Sequence, residues 1–167
     1  MSGSGFRVPG SGFRFRVRGS GFRVPGSGDD HTPGTACALT RRMTTARSHE
    51  DLDAWRLAVA LRDGVFELTA RSMVERHRSF CDQIRRSSGS APANIAEGFR
   101  RYKPRDFARY LRIALGSLGE TQNYLRHART QEYVSEEEFA ALWRLSSRAI
   151  GACARLRTYL ATCPDRK

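Results

Sequence analysis

From residue 48 onward, apolar residues recur at spacings of three and four in four successive blocks. That is the period of helices that bury one side. Ser48 can cap the first block, with Asp51 at the third helical position. Leu52, Trp55, Val59, Phe66 and Thr69 fall on one side of it, predicting a helix over 50–71. The second block predicts a helix over 76–98, with Phe80, Ile84, Ala91 and Ile95 inward. Pro92 removes a backbone donor there and predicts a bend, and Gly98 is suited to close the helix in a left-handed conformation. The third block opens with Pro104, a good first helical residue. Phe107, Leu111, Ala114, Leu118, Leu125 and Ala128 follow as a seven-residue repeat, with Thr121 in one seam position, predicting a helix over 104–131. The fourth, over 136–161, begins with a capping box of Ser135 and Glu138 and a Val134–Phe139 staple. Its stripe is Phe139, Leu142, Ile150, Cys153, Leu156 and Leu160, and Pro164 stops it.

No strand pattern appears. Short connections make successive helices antiparallel. The expected fold is all-α: an antiparallel up-and-down four-helix bundle over residues 48–163, with a tail at 164–167. It follows a disordered leader over residues 1–47.

The leader is different in kind. Gly-Ser-Gly-Phe-Arg occurs at 3–7, 10–14 and 19–23, with Val-Pro after the first and third copies. Such sequence buries too little apolar surface to offset its ordering entropy. One reading is an arginine-aromatic segment in which Phe6, Phe13, Phe15 and Phe22 stack on RNA bases. The other is a translated DNA repeat upstream of the native start, with Met43 as initiator. The repeat interval is too short for a solenoid unit, and the second reading is the favoured one.

Charge changes the picture next. The net charge is +12, and arginine supplies nearly all of the basic side chains, lysine occurring only at Lys103 and Lys167. Eight arginines and two aspartates fall within residues 1–47, so half of the excess sits in the leader. Such a balance favours anionic partners, RNA or DNA above all, or reflects an arginine-biased coding sequence. No apolar run reaches membrane-spanning length and no secretory apolar region is present, so a cytoplasmic protein with reduced thiols is expected. Cys37, Cys81, Cys153 and Cys163 form no CxxC pair and share no ligand spacing with the four histidines. No metal or other cofactor is implied.

Candidate chemistry is sparse. Glu97 lacks a partner for general-base work, and no Glu-x-x-His occurs. The protein reads as non-catalytic. Gln83, Asn94 and Glu97 are expected to satisfy one another, or backbone groups at the Pro92 bend. Arg100, Arg101, Lys103, Arg105, Arg109 and Arg112 form the best candidate anion site, with Arg85 and Arg86 extending it. On a helical wheel Arg105, Arg109 and Arg112 fall opposite the apolar seam, and Gly116, Gly119 and Asn123 share that outer side. Each exposed mid-helix glycine costs roughly 1 kcal/mol against alanine. A neighbouring subunit approaching closely would explain both glycines.

At Gln83 to Gly98, closing in Asn94-Ile-Ala-Glu-Gly98, the chain resembles the four-helix-bundle protein family of 23S rRNA intervening-sequence proteins, also called the S23 family. Asp51-Leu-Asp-Ala-Trp55, Phe107, Leu111, Ile113-Ala-Leu-Gly-Ser-Leu118 and Glu120 fit as well, so the resemblance spans about 49–160. It implies a small bacterial bundle that assembles into a homopentamer, with no established catalysis. Some relatives are encoded within 23S rRNA genes. A related retroelement accessory protein partners a reverse transcriptase and nucleic acid. Two departures stand out: Thr121 replaces a usual leucine, and Lys103 stands where Ser or Thr often caps the third helix. Two functions are expected on these grounds. One is a self-assembling bundle that binds nucleic acid weakly through its basic surface. The alternative is a scaffold or protein-interaction module, such as a reverse-transcriptase accessory protein, with no direct nucleic-acid role.

Overall fold

The computed structural model describes residues 46–101 and 103–163, together with the backbone of Phe6–Arg7 and Arg14–Phe15. The chain divides into two compact units, Met1–Arg47 and Ser48–Lys167. In the first, β1 (Phe6–Arg7) pairs antiparallel with β2 (Arg14–Phe15), Phe6 opposite Phe15 and Arg7 opposite Arg14. The sequence reading contained no strand. The Phe-Arg order at 6–7 returns reversed at 14–15, so an antiparallel turn sets like beside like. The expected leader disorder, the roles of Phe13 and Phe22, Cys37, Met43 as initiator, and the Pro164 stop all fall outside the described residues.

The second unit is the expected all-α bundle. A 3₁₀ turn (His49–Asp51) leads into α1 (Asp53–Thr69), a single turn α2 (Ser72–Glu75), α3 (Arg78–Arg100), α4 (Pro104–Thr130) and α5 (Glu136–Thr162). The four long helices pack in a closed cycle, α1 on α3, α3 on α4, α4 on α5 and α5 back on α1. Cross-links between neighbours show the antiparallel sense. Thr121 meets Ser87 while Ser117 meets Ser90, and Arg71 after α1 meets Glu138 at the start of α5.

The chain enters as its polar residues dictate. The Ser48 amide donates to Asp51 at 3.0 Å, and the Glu50 amide donates to Ser48 Oγ at 3.3 Å. The box therefore caps the 3₁₀ turn, and α1 starts three residues later than the predicted boundary. The predicted buried side of α1 is displaced. Ala54, Ala58, Leu61, Val65 and Leu68 are its core, a continuous run of fours and threes. Trp55 and Val59 are half-buried and Phe66 is 46% exposed. Leu52 and Thr69 are buried as predicted, but Trp55, Val59 and Phe66 suggested a stripe beside the true one. Two alanines and a smaller aliphatic set admit the closer packing.

In α3, Phe80, Ile84, Ala91 and Ile95 are buried as predicted, and the helix runs through Pro92. In α4 every predicted seam residue is buried, including Thr121, which is fully enclosed. In α5 the Ser135–Glu138 box forms. Leu142, Cys153, Leu156 and Leu160 are core, whereas Phe139 and Ile150 are only half-buried and Ala149 takes the inner position. Burial pushes the Cys153 thiol up to about 12.

Candidate functional site

The basic cluster is built from the loop between α3 and α4 and the outer side of α4. Gly98 makes that geometry possible, but not as a left-handed cap. The helix continues to Arg100. A Cβ on Gly98 would stand 2.6 Å from Phe107 Cδ2 and 2.7 Å from Tyr110 Cβ. Only glycine lets the first turns of α4 cross α3 this closely. Phe99 meets Phe107 edge-on at 6.1 Å and His49 at 6.4 Å, and His49 meets Trp55 at 5.1 Å. This ring cluster anchors the end of the bundle from which Arg100 and Arg101 project.

Lys103 is the N-cap of α4 in an extended conformation and supplies no side-chain cap; Pro104 opens the helix. Arg100, Arg101, Lys103, Arg105, Arg109 and Arg112 are all exposed. They are not equivalent. Arg101 donates to Glu97 Oε1 at 2.5 Å and to the Tyr110 hydroxyl at 3.0 Å, and lies over the Tyr110 ring. The Glu97 hydrogen bond, then Tyr110, raise its pKa further. Its guanidinium is therefore occupied within the chain. Arg85 does not extend the cluster. It donates to Thr69 Oγ1 at 2.7 Å and Thr69 O at 3.0 Å and covers Phe66, closing the C-terminal end of α1.

The structural trio also separates. Asn94 donates to Ser90 O at 2.8 Å and Ser90 Oγ at 3.1 Å, so it satisfies a backbone group. Glu97 turns to Arg101. Gln83 is exposed beside Phe80 and Tyr124. Gln83 lies about three turns from Asn94 along the same side of α3, and Asn94 and Glu97 are each held by another partner. The polar contacts between α3 and α4 are made by hydroxyls instead: Ser90 with Ser117 at 2.9 Å, and Thr121 to Ser87 at 3.0 Å.

Farther along the same flank of α4, Gly116, Gly119 and Asn123 are exposed. A Cβ on either glycine would meet nothing within 4 Å. Ile113, 45% exposed, lies beside them. The sequence reading missed a group of rings near the far end of α4, where Tyr124 and His127 come beside Phe80 and Tyr133. The i,i+3 spacing of Tyr124 and His127 was its only signal. Among the described residues, no group of three or more His, Cys, Asp and Glu gathers to hold a metal. No described helix is long and apolar enough to cross a membrane.

An all-helical bundle with a basic loop and an arginine-bearing outer helix face defines the class. Residues 50–162 match the family described as 23S rRNA-intervening sequence protein, and the chain belongs to that family. It is similar to a crystal structure of a protein of unknown function from the S23 ribosomal protein family of Bacteroides thetaiotaomicron VPI-5482. The two share 25% identity over 57% of this chain and 95% of that one, with a TM-score of 0.46. No curated protein matches the chain.

Proposed function

We propose that the bundle self-assembles, as a homopentamer, through the glycine-bearing flank of α4, and holds RNA or DNA without sequence preference on the arginines beside it. The observation that carries this reading is one exposed stripe at helical spacing: Arg105, Arg109, Arg112, Gly116, Gly119 and Asn123. Arginines suit phosphate. Two glycines with open space above them suit a second backbone approaching closely. Arg100 and Lys103 widen the basic end, while Arg101 contributes less because Glu97 and Tyr110 occupy it. Five copies would repeat a weak patch around a ring, raising affinity through simultaneous contacts. This role involves no catalysis.

Phosphate contacts release counterions, so binding to an RNA duplex should weaken steeply as salt rises. Changing Arg105, Arg109 and Arg112 together to Glu should weaken binding about tenfold or more and flatten the salt slope. Unchanged binding by that variant rules out the stripe. Light scattering of the full chain tests assembly, and a single-copy mass at micromolar concentration rules it out.

A second reading has its own observation. Phe139 and Trp143 stack at 5.5 Å between α5 and the end of α4, with Arg129 over Phe139 and Arg126 over Trp143. Half-exposed aromatics with arginine are the composition of protein contacts. They support a scaffold that docks a protein partner, a reverse transcriptase among the candidates. Retained assembly with no nucleic-acid binding at physiological salt selects this reading.

A further inference from the structure

A recess of about 500 Å³ lies where the start of α3, the end of α4 and the turn after α4 meet. That is within the range of small-ligand pockets, roughly 300–1,000 Å³. Its interior is aromatic. Phe80 lies 5.2 Å from Tyr133, 5.6 Å from His127 and 6.3 Å from Tyr124, and His77 lies 4.8 Å from Tyr133 (all between ring centres). Phe80 and Tyr133 are buried at the bottom, while His77 and His127 are exposed around it.

The backbone is shaped to deliver one of these rings. Glu132 has φ 56, in the left-handed region. The Tyr133 amide returns to Ala128 O at 2.9 Å and the Glu132 amide to Arg129 O at 3.1 Å. This is a Schellman closure with glutamate in the place that favours glycine. It folds Tyr133 back beneath the start of α3.

The charges choose among ligands. No carboxylate lines the recess, and Arg78 stands at its edge. A cation in an aromatic cage would meet that guanidinium unfavourably. A flat, anionic ligand meets rings for stacking and an arginine for its charge. Gln83 and Asn123 bring amides, each with donors and an acceptor, to the rim. We propose that this recess takes a single unstacked nucleobase, with the attached phosphate at Arg78. The ligand can be a free nucleotide or the end of a single-stranded RNA. The inference shares its nucleic-acid chemistry, and Asn123 at the rim, with the proposed function; the rest of the recess lies toward the opposite end of α4 from Arg105.

The test titrates the full chain with AMP and, separately, with a 5′-phosphorylated single-stranded oligoadenylate. Affinity is read by calorimetry and the histidine ring protons by NMR. Stacking should shift the His77 and His127 signals. Arg78→Glu, at an exposed position, should weaken binding about tenfold or more. His127→Ala provides a second exposed variant and should also weaken it. The Arg105→Glu, Arg109→Glu, Arg112→Glu variant should leave AMP binding unchanged. AMP binding that Arg78→Glu removes supports the site with a free nucleotide as its source. Binding of the strand alone, with the same loss, supports it with an RNA end as the source. No movement of the histidine signals with either ligand, or equal affinity in wild type and Arg78→Glu, overturns the proposal. Loss of AMP binding in the stripe variant also overturns it. If the stripe variant keeps its duplex affinity while AMP still fills the recess, the proposed function fails and this inference stands.

Discussion

Glu138 holds two pieces of the bundle at once. Arg71 donates to its two oxygens at 2.6 and 3.2 Å, and the Ser135 amide donates to Oε2 at 3.0 Å. The Arg71 hydrogen bond holds its carboxyl below the usual carboxylate range against the opposing effect of burial, with the Ser135 bond helping. A lowered folded-state pKa contributes stability that is complete above the ordinary value of 4.5 and is lost as pH falls through the folded value. Glu138→Gln should therefore cost about 2 kcal/mol at pH 7, with the gap to wild type closing in acid. Urea unfolding at both pH values measures it. Gly98 is equally local. Gly98→Ala places a Cβ against Phe107 and Tyr110, where Tyr110 Cβ sits too near its own backbone to swing away. A loss of about 1–3 kcal/mol is expected in thermal unfolding. Glu132 runs the other way. Glu132→Gly relieves the left-handed backbone and should stabilise by about 0.5–1 kcal/mol, read from the denaturation midpoint.

At the scale of one element, α4 carries two unlike faces. Its inner face is the heptad Phe107, Leu111, Ala114, Leu118, Thr121, Leu125 and Ala128, all buried. Thr121 lies in that seam, bonded to Ser87 and to Ser117 O, so its departure from the family's usual leucine is a matter of the α3–α4 contact and not of the outer flank. The outer face carries Gly116 and Gly119 over open space. Alanine at both should raise the stability of a lone protomer by roughly 1 kcal/mol each, since no neighbour resists the methyl groups. In an assembly that packs on this flank, the same pair should lower the average mass in light scattering. A more stable protein of unchanged mass would remove these glycines from any subunit contact.

For the molecule as a whole, the distribution of charge matters more than its sum. Six basic side chains, Arg100, Arg101, Lys103, Arg105, Arg109 and Arg112, follow one another through the loop between α3 and α4 and the first turns of α4. At the other end, Arg71, Arg126 and Arg129 are drawn into contacts with Glu138, Trp143 and Phe139. A weak patch of this size needs repetition to hold nucleic acid at physiological salt. Under the proposed function, affinity for an RNA duplex should fall with any variant that keeps the protein as single copies, even with every arginine intact. A filter-binding series across protein concentration checks this coupling.

The bundle was legible in the sequence because its strongest signals are local. Pro104, the Ser135–Glu138 box and the α4 heptad each act within a turn or two, and all reappear in the fold. The middle of the α1 stripe, at Trp55, Val59 and Phe66, was misread because periodicity says where a face lies only when large residues occupy it. Here Ala54 and Ala58 are inside, and Phe66 is left to a guanidinium from α3. Gly98, Arg85 and the Tyr133 recess belong to tertiary structure alone. Glycine's spacing in a chain does not reveal whether it turns the backbone or admits a neighbour. Nor can an arginine's partner be known until another helix arrives beside it. Rings from α3, α4 and the turn beyond likewise share a cavity only after the bundle brings distant residues within a few ångströms.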